Sequence, residues 1–360
     1  MTFTASGALS GVVAGMVVGM MSAAPFVTSA QQPGGAPSHG TLTPELEALA
    51  KAPDVKPNYE KGPHSVKELD ELVRQVSNWG RWGKDDERGA LNLITAQKRQ
   101  QAAALVKQGI AVSLAKSDRG IIQHQFMKPK GPPQLFGGSY QLPGHNDNQT
   151  HIDALCHVWF EGKTYNGFTP DQVIGDKGCQ KLGLSSYLNG IVTRAVLVDL
   201  PRLKGVPYLE PMTPVYAEDL EAWEKKVGVK ITPGDAILVR FGRWVRDAKY
   251  PEHPNTMTQL TKVGQAGLHP SVGPWLKKRD VALVGQDGGA GVFPSPVPGY
   301  IAPFSVVATN ALGIPLIVAM DLDEAAATAA RLNKWDFEFV VAPLQFPAGT
   351  GSAVHPIGVF

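Results

Sequence analysis

Within the sixteen residues Gly144–Trp159, GHNDNQTHIDALCHVW, lie three of the chain's nine histidines and two aspartates. They are His145, Asp147, His151, Asp153 and His157. Imidazole nitrogens and carboxylate oxygens are donors that divalent ions accept; Zn2+ is the first expectation for hydrolysis and Mn2+ the alternative. Alternate residues of an extended segment share a face, so Asp147, Gln149, His151 and Asp153 would point one way. One imidazole and two carboxylates would then reach a single ion, which would acidify a bound water and polarise a carbonyl. His157 falls one helical turn after Asp153 if a helix begins near Ala154. There it would overhang the site and carry a proton from water to a leaving group. His145 reads either as a further ligand or as a loop residue donating to one. Asp147 reads either as a ligand or as a cap for the turn made with Asn146 and Asn148.

Such a centre needs rigid elements around it, and the chain supplies strands mixed with helices. Ser65–Val76 has apolar residues at helical spacing, and Thr95 caps a helix over Ala96–Lys107 with Gly109 as its stop. Ala111–Ala115, Ala195–Val198, Ala236–Phe241, Val281–Gly285 and Phe337–Ala342 read as strands, and Pro315–Ala319 is an apolar run. Glu218–Lys226 and His269–Lys278 read as helices. Asp321 and Glu324 form a capping box for Leu322–Leu332. Gly349–Ser352 reads as a tight turn before Pro356–Phe360. Trp79 and Trp82 are either site walls or core. Gly131–Gly138 is either a lid or an ordinary loop, and His124 before it has no assigned role.

The first thirty residues stand apart. Ser6–Ala30 is apolar and uncharged, with small residues Thr28-Ser29-Ala30 before Gln31. Residues 1–30 read as a secretory signal peptide, which would place the mature chain in a periplasm or outside the cell with no stable membrane span; an uncleaved anchor is the other reading. Residues 31–57 read as a linker and 58–360 as one catalytic-type domain. An oxidising compartment would permit a Cys156–Cys179 bond, and a buried free thiol at Cys156 is the alternative.

A net charge of +2 with interleaved acids and bases argues against a nucleic-acid partner and leaves a small-molecule substrate. No Gly-x-Gly-x-x-Gly, phosphate loop or Gly-x-Ser-x-Gly elbow is present, so nucleotide cofactors and a serine nucleophile have no support.

Gln149–His157, QTHIDALCH, resembles the signature His-x-Gly-Thr-His-x-Asp-x-x-x-His of the cyclase family, which includes bacterial kynurenine formamidase and isatin hydrolase. The resemblance extends from Trp79–Ile94, WGRWGKDDERGALNLI, to Phe339–Phe360. It implies an α/β fold with a compact, β-barrel-like mixed core surrounded by helices, assembled as a homodimer or homotetramer. It implies hydrolysis of an amide or cyclic-amide C–N bond, with His151 and Asp153 as ligands and His157 in proton transfer. The departures are specific. The family's first histidine falls on Asp147, with His145 as a substitute if the loop bends, and its glycine falls on Gln149. The distal histidine falls on Ser305 or Val306 and the distal glutamate on Val318, so a second ion would lose its ligands. Asp287, near a strand end, is a conceivable replacement. A weakened or non-catalytic binding protein and a lactone or ester hydrolase are the alternatives to an amide hydrolase.

Overall fold

The computed structural model describes residues 59–116, 123–127, 137–146, 148–252, 263–346 and 348–360. The signal-peptide and linker segments, Gly131–Phe136 and Asp147 lie outside the described residues. The described residues fall within one unit, His39–Phe360.

Among the described residues, nine strands form one mixed sheet. In chain order they are β1 (Ala111–Ser113), β2 (His151–Asp153), β3 (Ile191–Asp199), β4 (Ala236–Arg240), β5 (Leu283–Gln286), β6 (Leu316–Val318), β7 (Asp336–Val341), β8 (Gly351–Ala353) and β9 (Ile357–Val359). Their order across the sheet is β1-β9-β7-β3-β4-β5-β6-β2-β8. β3, β4, β5 and β6 run parallel. Their apolar stretches are buried throughout, as in Val196–Val198, Ile237–Val239 and Leu283–Val284, the pattern of strands covered on both faces. β2 pairs antiparallel with both β6 and β8. The sheet curls until the chain leaving β1 meets the chain leading into β2. There Lys116 N–H donates to Thr150 Oγ1 at 2.7 Å and Thr150 N–H to the Lys116 carbonyl at 2.9 Å, while Ala115 bridges to Met320. The result is a near-barrel with helices outside it.

Those helices are α1 (Val66–Val76), α2 (Ala96–Ala103), α3 (Ala217–Val227), α4 (Arg243–Lys249) and α5 (Asp323–Leu332), among shorter turns. Ser65 and Thr95 cap α1 and α2 through their side chains, Thr95 as its position predicts. α3 places Trp223 fully inside, where its Nε1–H donates to the Leu197 carbonyl at 2.8 Å. Trp79 and Trp82 pack against the core, and Trp79 Nε1–H is tied to the Asn310 carbonyl at 2.7 Å.

Several local expectations change, and α2 ends at Ala103 rather than Lys107. α5 begins at Asp323, with Leu322 at its N-cap, rather than at Leu322; the Asp321 carboxylate accepts from the Asp323 N–H without a capping box. Gly351–Ala353 is not part of a turn but β8, because pairing with β2 outweighs the poor strand propensity of glycine. His269–Lys278 divides into a 3-10 turn, Pro270–Val272, and the helix Gly273–Arg279. Among the described residues no helix is long and apolar enough to cross a membrane.

Cys156 and Cys179 are joined in a disulfide, which excludes the free thiol. The bond spans 23 residues, and closing a loop of that length in the unfolded chain stabilises by about 3 kcal/mol. Cys179→Ala, or reductant on the intact protein, is therefore expected to lower Tm by roughly 5–10 °C. Calorimetry showing the same Tm with and without reductant would refute this.

Candidate metal centre

β2 is three residues long and wholly buried, yet carries two ionisable groups. Its neighbours hold it in register: Val318 stands opposite His151, while Gly351 and Ala353 face Asp153 and His151 from the other side. The His151 Nδ1–H donates to the Gln149 carbonyl at 2.9 Å. That bond fixes the tautomer and leaves Nε2 with a lone pair directed at the site. His151 Nε2 lies 3.6 Å from Asp153 Oδ1.

His145 arrives from the preceding loop. Its Nδ1 lies 3.1 Å from Asp153 Oδ1, and its Nε2 lies 2.9 Å from Thr350 Oγ1, just before β8. The loop bend thus brings His145 to the site, as a substitute for the missing first histidine requires. One donor atom from each of His145, His151 and Asp153 lies within 4.8 Å of the others. Two imidazoles and one carboxylate match the donor chemistry of catalytic zinc sites. The residues present therefore fit a divalent ion.

His157 does not sit on an α-helix. It ends a 3-10 turn, Leu155–His157, in which its N–H donates to the Ala154 carbonyl at 3.0 Å. The turn is held from several directions: the Cys156–Cys179 bond, Cys156 N–H to the Leu182 carbonyl, and Trp159 Nε1–H to the Cys156 carbonyl. The His157 ring stacks on His145 at 4.2 Å, with 16° between planes.

Charge sorts these groups. Burial pushes the Asp153 carboxyl up, but His157, His145 and His151 together outweigh it and hold its pKa at about 2. The same crowding lowers the pKa of His157. Desolvation by packed neighbours leads, His145 and His151 add to it, and Asp153 opposes, although the side chain keeps an open path to solvent. Asp153 is thus an anion at neutral pH beside a largely neutral His157.

Of the residues placed here by spacing, His145, His151, Asp153 and His157 converge. Val318 lies directly across from His151, and side chains directly opposite share a face of the sheet, so a valine stands beside this candidate ligand at the position where the family resemblance implies a carboxylate. Ser305 ends the short helix Pro303–Ser305, its hydroxyl donating to the Ala290 carbonyl at 3.3 Å. Asp287 is not available as a ligand. Its oxygens accept the N–H groups of Phe241, Gly242 and Arg243 at 2.7, 2.8 and 3.2 Å, clamping the turn from β4 into α4. Burial pushes its pKa up to about 7, against the pull of the Phe241 and Gly242 amides. Thr350 and Tyr187 escaped sequence reasoning. Thr350 meets His145 only because β8 is a strand. Tyr187 is buried beside Asp153, and burial, followed by that charge, raises its pKa.

The Cyclase family model matches residues 71–290, more than half of the chain. The chain belongs to the Cyclase family. As a Cyclase-family protein it is 26% identical to a novel cyclase of known crystal structure, with a TM-score of 0.72 covering 80% of this chain and 99% of that one. Isatin hydrolase A from Labrenzia aggregata, bound to benzyl benzoate, is 16% identical at a TM-score of 0.47, over 71% of this chain and 94% of that one. An isatin hydrolase bound to the product analogue thioisatinate is 15% identical at a TM-score of 0.46, over 74% and 99%. Comparison with curated proteins returns no match. Motif and family together describe a metal-binding, hydrolase-like site in this Cyclase-family chain.

Proposed function

We propose that this Cyclase-family protein is a metal-dependent hydrolase that cleaves an amide or cyclic-amide C–N bond in a small molecule. The observation that carries the reading is the convergence of His145, His151 and Asp153 donor atoms within 4.8 Å, with His157 stacked on one of them. His151 through Nε2, Asp153 through a carboxylate oxygen and His145 would hold the ion, with Asp147 a fourth donor by its spacing. Zinc is the first choice for this donor set and manganese the second. A bound ion supplies Lewis acidity, polarising the substrate carbonyl and acidifying water.

The chain's own groups do the rest. Gln149 holds the His151 ring through its backbone carbonyl. Asp153 is ionised and keeps His145 oriented. His157, neutral at pH 7, accepts the proton of the attacking water and returns it to the leaving nitrogen as the C–N bond breaks, yielding a carboxylic acid and an amine. Export through residues 1–30 and assembly as a homodimer or homotetramer complete the proposal.

The test pairs a substrate panel of formamides, cyclic imides and lactones with His157→Gln. That variant is expected to keep its metal content and lose about 10²–10⁴-fold in kcat, the span of general acid–base catalysis. An unchanged kcat would remove His157 from the mechanism, and turnover confined to lactones would shift the reaction to ester chemistry. One observation favours a competing reading, an exported binding protein: Val318 opposite His151 leaves the site short of a carboxylate. Metal bound with no turnover across the panel would support that reading.

A further inference from the structure

The stretch Trp79–Ile94, which the metal centre does not use, forms one wall of a second cavity. Gly89 has φ +57° and packs against the Gly313 backbone, with no room for a side chain. Arg88 and Arg99, the latter on α2, line a cavity of about 250 Å³ together with Ser185, Ser186 and Asn189. Leu91, Ile94 and Ile191 complete the lining behind these polar groups, each of them buried. No acidic residue lines it.

The acids next to Arg88 in sequence are engaged elsewhere. Asp86 accepts from the Gly89 N–H and the Tyr165 hydroxyl, and Glu87 from the Leu182 N–H and Lys181. Among the described residues neither the Arg88 nor the Arg99 guanidinium has an ion pair or hydrogen bond. The cavity shares no lining residue with the metal centre. The turn Leu184–Tyr187 sends Tyr187 into the core and turns Ser185 outward to the cavity.

We infer that this cavity is a binding site for a small organic carboxylate. Two guanidinium groups supply ten N–H donors and two positive charges, suited to a carboxylate held by paired hydrogen bonds. The serine hydroxyls and the Asn189 amide add neutral donors. The lining mixes polar groups with apolar atoms, which favours a ligand with a small apolar part over a bare inorganic anion. The volume, below the range of drug-sized pockets, limits that body to about one ring system.

The probe is 4-iodobenzoate, used with the intact protein. Crystals soaked in it are expected to show an iodine anomalous peak over Leu91 and Ile191, with the carboxylate between Arg88 and Arg99. Calorimetric titration is expected to give saturable binding that weakens about tenfold in each of Arg88→Gln and Arg99→Gln, both exposed positions. Neutral 4-iodobenzyl alcohol is expected not to bind. An iodine peak only at His151, unchanged affinity in both variants, or phosphate binding as tightly as the aryl acid would each overturn the assignment. Equal melting temperatures of the variants and the parent protein guard against loss through misfolding.

Discussion

His151→Ala is expected to purify without its ion and to lose about 10²–10³-fold in turnover. The size follows from the several kcal/mol that a bound cation contributes to stabilising developing charge, at 1.36 kcal/mol per decade of rate. Of the three proposed ligands, His151 has the most defined lone pair. It is buried, its Nδ1–H is committed to the Gln149 carbonyl, and both neighbouring strands hold its backbone. His145, by contrast, reaches the site from a loop with its side chain 30% exposed, so His145→Ala is expected to weaken metal binding without abolishing it. Elemental analysis of protein purified without added metal, beside kcat for parent and variants, separates the two. Full metal content in His151→Ala would refute the ligand assignment, and a metal-free parent protein would sink the hydrolase reading altogether.

The legible part of this centre was the part whose geometry is local. His151 and Asp153 lie two apart on a strand, and that periodicity is visible in the residues themselves. The parallel strands were legible because burial on both faces leaves unbroken apolar runs such as Ala195–Val198. What sequence did not reveal depends on distant pairing. β8 reads as a turn because Gly349, Gly351 and Ser352 are turn formers, and only register with β2 makes it a strand. Thr350 was missed for the same reason. His145 was undecided because its approach depends on a loop conformation, not on a period. The disulfide was undecided because residue identity does not specify redox state. Val318 was flagged as a lost carboxylate by resemblance, and the strand register sets it directly against His151.

The largest stability effect is expected from Asp235→Ala, a loss of about 3–5 kcal/mol, the usual cost of removing one partner from a buried ion pair. Asp235 is fully buried at the start of β4 and serves two cations at once. Oδ1 accepts from Lys98 Nζ at 2.6 Å and Arg194 Nε at 3.0 Å. Oδ2 accepts from Arg194 Nη2 at 2.5 Å and the Thr232 N–H at 2.8 Å. Alanine would leave the Lys98 side chain 8% exposed and the Arg194 side chain 17% exposed without their common counter-charge. The exposed pair Lys67–Glu71 on α1, at 3.9 Å, provides the contrast: Lys67→Ala is expected to cost about 0–1 kcal/mol, the range for surface pairs. Urea unfolding midpoints measure both, and equal shifts in the two variants would refute the argument from burial. The consequence reaches the metal centre through β4. Its far end leads into Gly242 and Arg243, which Asp287 clamps and from which Arg243 Nη2 donates to Asn148 Oδ1 at 3.1 Å, in the loop that carries His145. Asp235→Ala protein that still folds is therefore expected to bind metal more weakly than the parent, by loosening the strand that positions this loop rather than by removing a ligand.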